Sequence, residues 1–153
     1  MDVKIKDMPE MRVATVEHVG PYNQISQAFA NLGQIAAQSQ LFGPEAAMLG
    51  IFHDDPETTP ASELRSEAAL VVSPRVDLPD QLGERKLPAG RYATTTHVGP
   101  YENLGDTWSR LMGEWLPRSG HRMTDGVSYE IYRNTPEDTP KEKLVTELYI
   151  PIE

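Results

Sequence analysis

The chain has 153 residues, of which 39% are hydrophobic and 24% are charged, and its formal net charge at pH 7 is -9. This length corresponds to one ordinary domain or to two small halves that share a core. The lack of cysteine excludes disulfides and cysteine-ligated zinc. The negative charge argues against a general nucleic-acid-binding surface and weakly favours cationic partners.

We expect a cytoplasmic protein. The first ten residues alternate polar and apolar side chains, without the basic start and apolar centre of a signal peptide. No apolar run approaches the roughly 20 residues that a membrane-spanning helix needs.

The first half of the chain predicts a strand, a helix and two further strands. Residues 12–19 are rich in β-branched side chains and partly alternate, as strands do. Gly20 and Pro21 end this strand, and proline suits the first turn of a helix, where its missing N–H has no partner. The predicted helix has an apolar stripe at Ile25, Phe29, Leu32 and Ile35. Strands are predicted at 48–53 and 67–72, joined by an acidic loop rich in proline and threonine.

The second half predicts the same elements in the same order. A connection rich in proline, at about 74–86, leads to a strand at 91–98. The helix that follows has its apolar stripe at Leu104, Trp108, Leu111 and Trp115. Two more strands are predicted at 128–133 and 144–152.

This order recurs because the sequence is duplicated. The word HVGPY occurs at 18–22 and again at 97–101, and eight of the eleven positions ending in it are identical at an offset of 79. With the offset increased by one, the loop at 55–60 aligns with 135–140 and Glu67 aligns with Glu147. Self-similarity at a fixed period indicates a repeated structural unit.

The predicted fold class is α+β. Two pseudo-symmetric β-α-β-β repeats, at about 1–73 and 87–153, are expected to fuse into one antiparallel-sheet domain spanning residues 1–153. A lone repeat would expose a sheet face and unpaired edges, which favours fusion. We expect helices on one face of the sheet and a ligand cleft on the other.

HVGPY is interpreted as a corner between a strand and a helix. Glycine allows the turn, proline starts the helix, and histidine ends the strand. The four histidines show no metal-ligand spacing, and no nucleotide-binding motif is present, so neither a metal nor a cofactor is predicted. Catalytic residues are not identifiable from these patterns.

The informative residues are carboxylates in the last two strands. Alternation puts Glu130 with Tyr132 on one face of its strand, and Glu147 with Tyr149 on one face of the next. A lone glutamate in a strand is more often simply solvated. Two Glu-x-Tyr pairs on paired strands, however, would form an aromatic and acidic surface that suits an organic cation. The helices are expected to cover the opposite face, with Ile131, Leu148 and Ile150.

The first repeat differs at the aligned positions. Gly50 and Phe52 align with Glu130 and Tyr132, and Glu67 aligns with Glu147. The smaller residues of the first repeat would leave room for a ligand. Phe52 and Glu67 are therefore included among the candidate ligand-binding residues.

The chain resembles the GyrI-like small-molecule-binding family, which includes DNA gyrase inhibitors and effector-binding domains of AraC-type and MerR-type regulators. The duplicated HVGPY, the YEIY of 129–132 and the TELYIPI of 146–152 carry the resemblance, which spans essentially the whole chain. It implies two β-α-β-β modules with a ligand cleft between them. It also implies that Glu130 or Glu147 faces a cationic, often aromatic drug.

In this interpretation Tyr132, Tyr149 and Phe52 form the walls of the site, and Trp115 is a further candidate. The first functional hypothesis is a stand-alone protein that senses or sequesters hydrophobic cations. Its role in transcription would require a separate regulator. The alternatives are a hydrolase of cyclopropane-bearing genotoxins that uses a pocket Glu and Tyr, and an inhibitor that contacts DNA gyrase. No direct contact with nucleic acid or membrane is expected.

Overall fold

The computed structural model describes residues 1–153. Its strands are β1 (Lys4–Met8), β2 (Met11–Val19), β3 (Met48–Phe52), β4 (Arg65–Val71), β5 (Gly83–Leu87), β6 (Gly90–Val98), β7 (Ser128–Tyr132) and β8 (Val145–Pro151). Its α-helices are α1 (Ser26–Gln38), α2 (Leu104–Arg110) and α3 (Leu116–Ser119), and a π-helical segment (Leu111–Trp115) joins the last two. No helix is long and apolar enough to cross a bilayer.

The chain divides into two compact units. The N-terminal unit comprises Glu10–Pro88, and the C-terminal unit combines Met1–Pro9 with Ala89–Glu153. Every strand pair within each unit is antiparallel. The α+β fold class is confirmed.

In the N-terminal unit, β4 lies between β3 and β2, and β5 pairs with the other edge of β2. The apolar stripe of α1 packs on this sheet, with Leu32 and Ala36 fully buried against Ala14 and Leu70. The alternating apolar positions of the strands thus meet the three-and-four spacing of the helix, as the sequence predicts.

The C-terminal unit repeats this arrangement with β8 between β6 and β7, and with β1 on the outer edge of β6. Leu104 and Leu111 pack against Leu148 and Ile150 to form its helix-side core. The single predicted helix is interrupted by the π-helical segment, and Pro117 follows this interruption. Proline has no N–H to donate to the carbonyl one turn earlier.

The six predicted strands are confirmed, but two edge strands were not predicted. β5 occupies the last part of the segment interpreted as a connection, and β1 lies in the first ten residues. Both strands are short and carry several charges, and the brief alternation around Lys4 and Lys6 contains too few apolar residues to predict a strand.

Both copies of HVGPY form the predicted corner. Gly20 and Gly99 have φ angles of +132° and +136°, a conformation that favours glycine. The Nε2 atoms of His18 and His97 lie 3.0 and 3.1 Å from the carbonyl oxygen of the proline three residues later. The histidines therefore fix the turn from the strand side.

Candidate functional site

The register between β7 and β8 places the two candidate carboxylates on opposite faces of the sheet. Glu130 pairs with Leu148, whereas Glu147 pairs with Ile131. Directly paired residues of antiparallel strands project to the same side. The prediction that Glu130 and Glu147 share a face is therefore wrong. Alternation determines which side chains share a face within one strand. Which of those faces matches a given face of the neighbouring strand depends on register, and a one-residue change in register reverses the match.

Helices cover the face that carries Glu130. Its cross-strand neighbour Leu148 packs with Leu104 and Leu111 of the helical segment. Ile131, which was predicted to lie beneath the helices, projects to the opposite side with Glu147. Glu130 is thus a buried carboxylate beneath α2 rather than a residue of an open sheet face.

Two neutral groups hold the Glu130 carboxylate, whose residue is only 4% exposed. The indole Nε1–H of Trp108 donates to Oε1 at 2.5 Å, and the hydroxyl of Tyr132 donates to Oε2 at 2.7 Å. The ring of Tyr101 lies 5.6 Å from the ring of Tyr132. An acidic group is therefore enclosed by aromatic side chains within the C-terminal unit.

Glu130 has no cationic partner in the structure. None of the ion pairs includes it. Burial raises the pKa of Glu130, and the hydrogen bonds from Trp108 and Tyr132 only partly oppose this effect. Burial and the charge of Glu130 likewise raise the pKa of the Tyr132 hydroxyl well above its usual value. The charged carboxylate is therefore costly in this buried position, and a neighbouring cation would relieve that cost.

Glu147 has a different environment. Its Oε1 accepts hydrogen bonds from Arg133 Nη2 at 2.7 Å and from the Tyr149 hydroxyl at 2.8 Å. Burial alone would raise the pKa of Glu147, but these two donors and the charge of Arg133 outweigh it and hold the pKa below its usual value. The charge of Glu147 is thus already balanced by the protein.

Glu67, in the N-terminal unit, is balanced in the same way. One of its carboxylate oxygens lies 2.5 Å from His53 Nε2 and 2.8 Å from Arg85 Nη2. Burial opposes ionisation, but these two partners hold the pKa of Glu67 below its usual value. Glu67 pairs with Ile51, just as Glu147 pairs with Ile131, which confirms the predicted alignment of the repeats.

The remaining candidates are aromatic. Phe52 belongs to the N-terminal unit, where its ring lies 5.0 Å from that of Tyr22 in an edge-on arrangement. Tyr149 is fully buried and stacks on Tyr129 at 5.0 Å, on the side of the sheet away from Glu130. Trp115 packs against the helix-side core and stacks on His121.

The sequence interpretation did not include Trp108 among the site residues. Trp108 was assigned to the apolar stripe of its helix, and its hydrogen bond to Glu130 joins residues on different elements. One signal was available, since the aligned residue of the first repeat is Phe29, which offers no N–H. No group of three or more metal-ligating side chains occurs in the described residues.

The whole sequence, residues 1–153, matches the family described as the GyrI-like small molecule binding domain. The chain belongs to this family. A DNA gyrase inhibitor of Yersinia enterocolitica is 32% identical over 139 residues, which cover 88% of this chain and 87% of the relative. The family assignment confirms the resemblance inferred from the repeated motif.

Solved structures of low sequence identity show the same fold. The C-terminal domain of EcmrR superposes with a TM-score of 0.85 at 20% identity, covering 99% of this chain and 97% of that domain. SAV2435, which was solved bound to tetraphenylphosphonium, superposes with a TM-score of 0.68 at 15% identity, covering 100% and 94% of the two chains.

Proposed function

We propose that this chain binds hydrophobic aromatic cations and that Glu130 supplies the counter-charge. The observation that carries the proposal is a 4%-exposed carboxylate with two neutral hydrogen-bond donors and no ion pair. Glu147 and Glu67 are less suited to this role, because each is already balanced by cationic side chains. The protein would then act by sensing or sequestering such molecules.

The surroundings of Glu130 favour a cation that does not donate hydrogen bonds. Trp108 and Tyr132 already occupy one carboxylate oxygen each. A delocalised or quaternary cation requires only charge and apolar contact, and an aromatic ring within about 6 Å adds roughly 0.5–2 kcal/mol of attraction. Trp108, Tyr132 and Tyr101 provide these surfaces.

Binding has to open the site, because the carboxylate is covered in the structure. Trp108 is the residue most directly placed to move, since it lies in the last turn of α2, three residues before the π-helical segment begins. π-Helical insertions occur frequently at functional sites, where helical register is less tightly fixed. We propose that displacement of Trp108 exposes Glu130 to the ligand.

Calorimetric titration with tetraphenylphosphonium tests this proposal. Glu130→Gln keeps the size of the side chain and can still hydrogen-bond to both Trp108 and Tyr132, but it removes the charge. Loss of one partner from a buried charge pair costs at least about 2 kcal/mol, so we expect affinity to fall roughly 30-fold or more. The matched control is Glu147→Gln, which should change affinity by less than about threefold. Equal affinities for the wild type and Glu130→Gln would refute the role of Glu130.

A second candidate function is inhibition of DNA gyrase, and the name of the 32%-identical relative favours it. A supercoiling assay with purified gyrase tests this possibility. Inhibition that persists unchanged in Glu130→Gln would assign it to another surface of the protein. Inhibition that changes with tetraphenylphosphonium only in the wild type would connect the two activities through the Glu130 site.

A further inference from the structure

A polar cavity with a volume of about 510 Å³ lies in the C-terminal unit, apart from Glu130. It forms where β6 extends beyond its edge neighbour, because the pairing of β1 with β6 ends at Lys4 and Thr94. Residues 95–98 continue past this point, and α2 contributes further side chains. The polar lining includes Lys4, Lys6, Thr94, Thr96, Arg110 and Glu147.

The cavity concentrates positive charge on an acidic protein. Lys4, Lys6 and Arg110 all line it, although the net charge of the chain is -9. Two carboxylates, Asp2 and Glu147, also line it; Glu147 already pairs with Arg133 at 2.7 Å, and Arg110 lies 3.7 Å from the Glu114 carboxylate. The three cationic side chains of the lining still outnumber its two carboxylates, and such a local surplus of positive charge attracts anions from solution.

The lining also offers hydrogen bonds to a polar molecule. Thr94 and Thr96 bring hydroxyl groups to the cavity. The two hydrogen bonds to Glu147 both go to Oε1, which leaves Oε2 as an acceptor. A ligand that carries both an anionic group and hydroxyl groups would match this combination of donors and acceptors.

Comparison of the two repeats shows which polar residues of the lining the fold does not require. Lys4 pairs with Thr94 in the C-terminal unit, and Gly83 pairs with the aligned Thr15 in the N-terminal unit. Gly83 therefore occupies the position of Lys4. A Cβ atom at Gly83 would lie only 2.6 Å from the Thr15 hydroxyl oxygen, so this edge does not accommodate a lysine without a shift.

Two other lining residues also have counterparts of different chemistry in the N-terminal unit. Thr96 aligns with Glu17, and Arg110 aligns with Asn31. The N-terminal unit forms the same strands and the same corner without this set of donors. The donors of the C-terminal unit are therefore dispensable for the fold, which favours a role in binding.

We infer that this cavity binds a small hydroxylated anion, either a hydroxycarboxylate or a phosphate monoester. Lys4 and Lys6 neutralise the anionic group, while Thr96 and Glu147 Oε2 bind its hydroxyl groups. The volume lies within the range of about 300–1,000 Å³ that is usual for small-molecule sites. Glu130 does not line this cavity, so the inference is independent of the cation site.

Amide chemical-shift titrations with malate and with glycerol phosphate, at low ionic strength, test the inference. We expect saturable shifts at Lys4–Lys6 and Thr94–Val98, with a dissociation constant below ~10 mM for at least one probe. The tighter of the two probes identifies the anionic group. Replacement of Lys4 by Gly and Lys6 by Gln together should weaken binding at least about tenfold, since both counter-charges are lost.

Arg110→Asn, which introduces the residue of the N-terminal unit on an exposed helix position, provides a second variant whose folding is not at risk. It should also weaken binding. Lys86→Gln is the matched control, because it removes an exposed cation from β5 in the other unit and should leave the titration unchanged. The inference is overturned if neither probe gives saturable shifts, or if the Lys4 and Lys6 double variant binds as the wild type does.

Discussion

Replacing Glu130 with glutamine should stabilise the folded protein at neutral pH, although it is expected to weaken ligand binding. The glutamine amide oxygen can still accept from Trp108 Nε1–H, and its amide N–H can donate to the Tyr132 hydroxyl. Both contacts, at 2.5 and 2.7 Å in the wild type, can therefore be kept, with the direction of the hydrogen bond to Tyr132 reversed. What the substitution removes is a charge on a residue that is only 4% exposed.

The expected gain is about 1–2 kcal/mol, which lies within the range of about 0.5–2 kcal/mol usual for a single stabilising substitution. For a domain of this size, each kcal/mol raises the melting temperature by about 2–4 °C, so the gain in Tm is about 2–8 °C. The gain should depend on pH in a definite direction. The pKa of Glu130 is raised in the folded state. Its contribution to the free energy of unfolding is therefore most favourable below the unfolded pKa of about 4.3, and it is lost as pH rises through the folded pKa.

Thermal and urea unfolding between pH 4 and pH 8 would measure this effect. The wild type and Glu130→Gln should have similar stabilities at the acidic end, and their curves should diverge as pH rises. Glu147→Gln provides a control whose stability should change in the opposite direction at neutral pH. Its folded pKa is lowered, so its carboxylate stabilises the fold above the unfolded pKa, and the variant should lose about 1 kcal/mol at neutral pH.

A loss of stability in Glu130→Gln at pH 7 to 8, equal to that in Glu147→Gln, would refute the reasoning. It would mean that the Glu130 charge is balanced within the folded protein. A difference between wild type and Glu130→Gln that is independent of pH would also contradict it, because titration of the carboxyl group is the proposed cause.

Three further predictions concern the same elements. Trp108→Phe removes the indole donor from Glu130 and should destabilise the protein by about 1–3 kcal/mol in urea unfolding, and Glu130→Gln in the same chain should reduce this loss. Gly99→Ala should cost about 1–3 kcal/mol, because alanine is strained at a φ of +136°; an unchanged Tm would contradict the proposed corner. Gly33→Ala, in the middle of α1 with open space around the new methyl group, should instead gain about 0.5–1 kcal/mol.

Much of the fold could be predicted because each strand and helix pattern occurs twice in the sequence, once in each repeat. The predicted strands at 12–19 and 91–98 match β2 and β6 to within one residue. The alignment of Glu67 with Glu147 also agrees with the strand pairing in both units. These features depend on local patterns that each copy carries in its own sequence.

The site was less predictable because its geometry depends on contacts between elements. The opposite orientation of Glu130 and Glu147 follows from strand register, which alternation alone does not fix. Arg133 directly follows Tyr132 in the sequence, yet it neutralises Glu147 on the next strand. The hydrogen bond from Trp108 likewise crosses from helix to sheet.

The proton balance of cation binding tests the central claim most directly. Tetraphenylphosphonium has no titratable group, so any proton released on binding comes from the protein. Calorimetry across the acidic to neutral range, in two buffers of different ionisation enthalpy at each pH, should show a pH window of proton release from the wild type, because a bound cation lowers the raised pKa of Glu130. The account predicts weaker binding without proton release in Glu130→Gln. Identical affinity and proton release in the two proteins would contradict it.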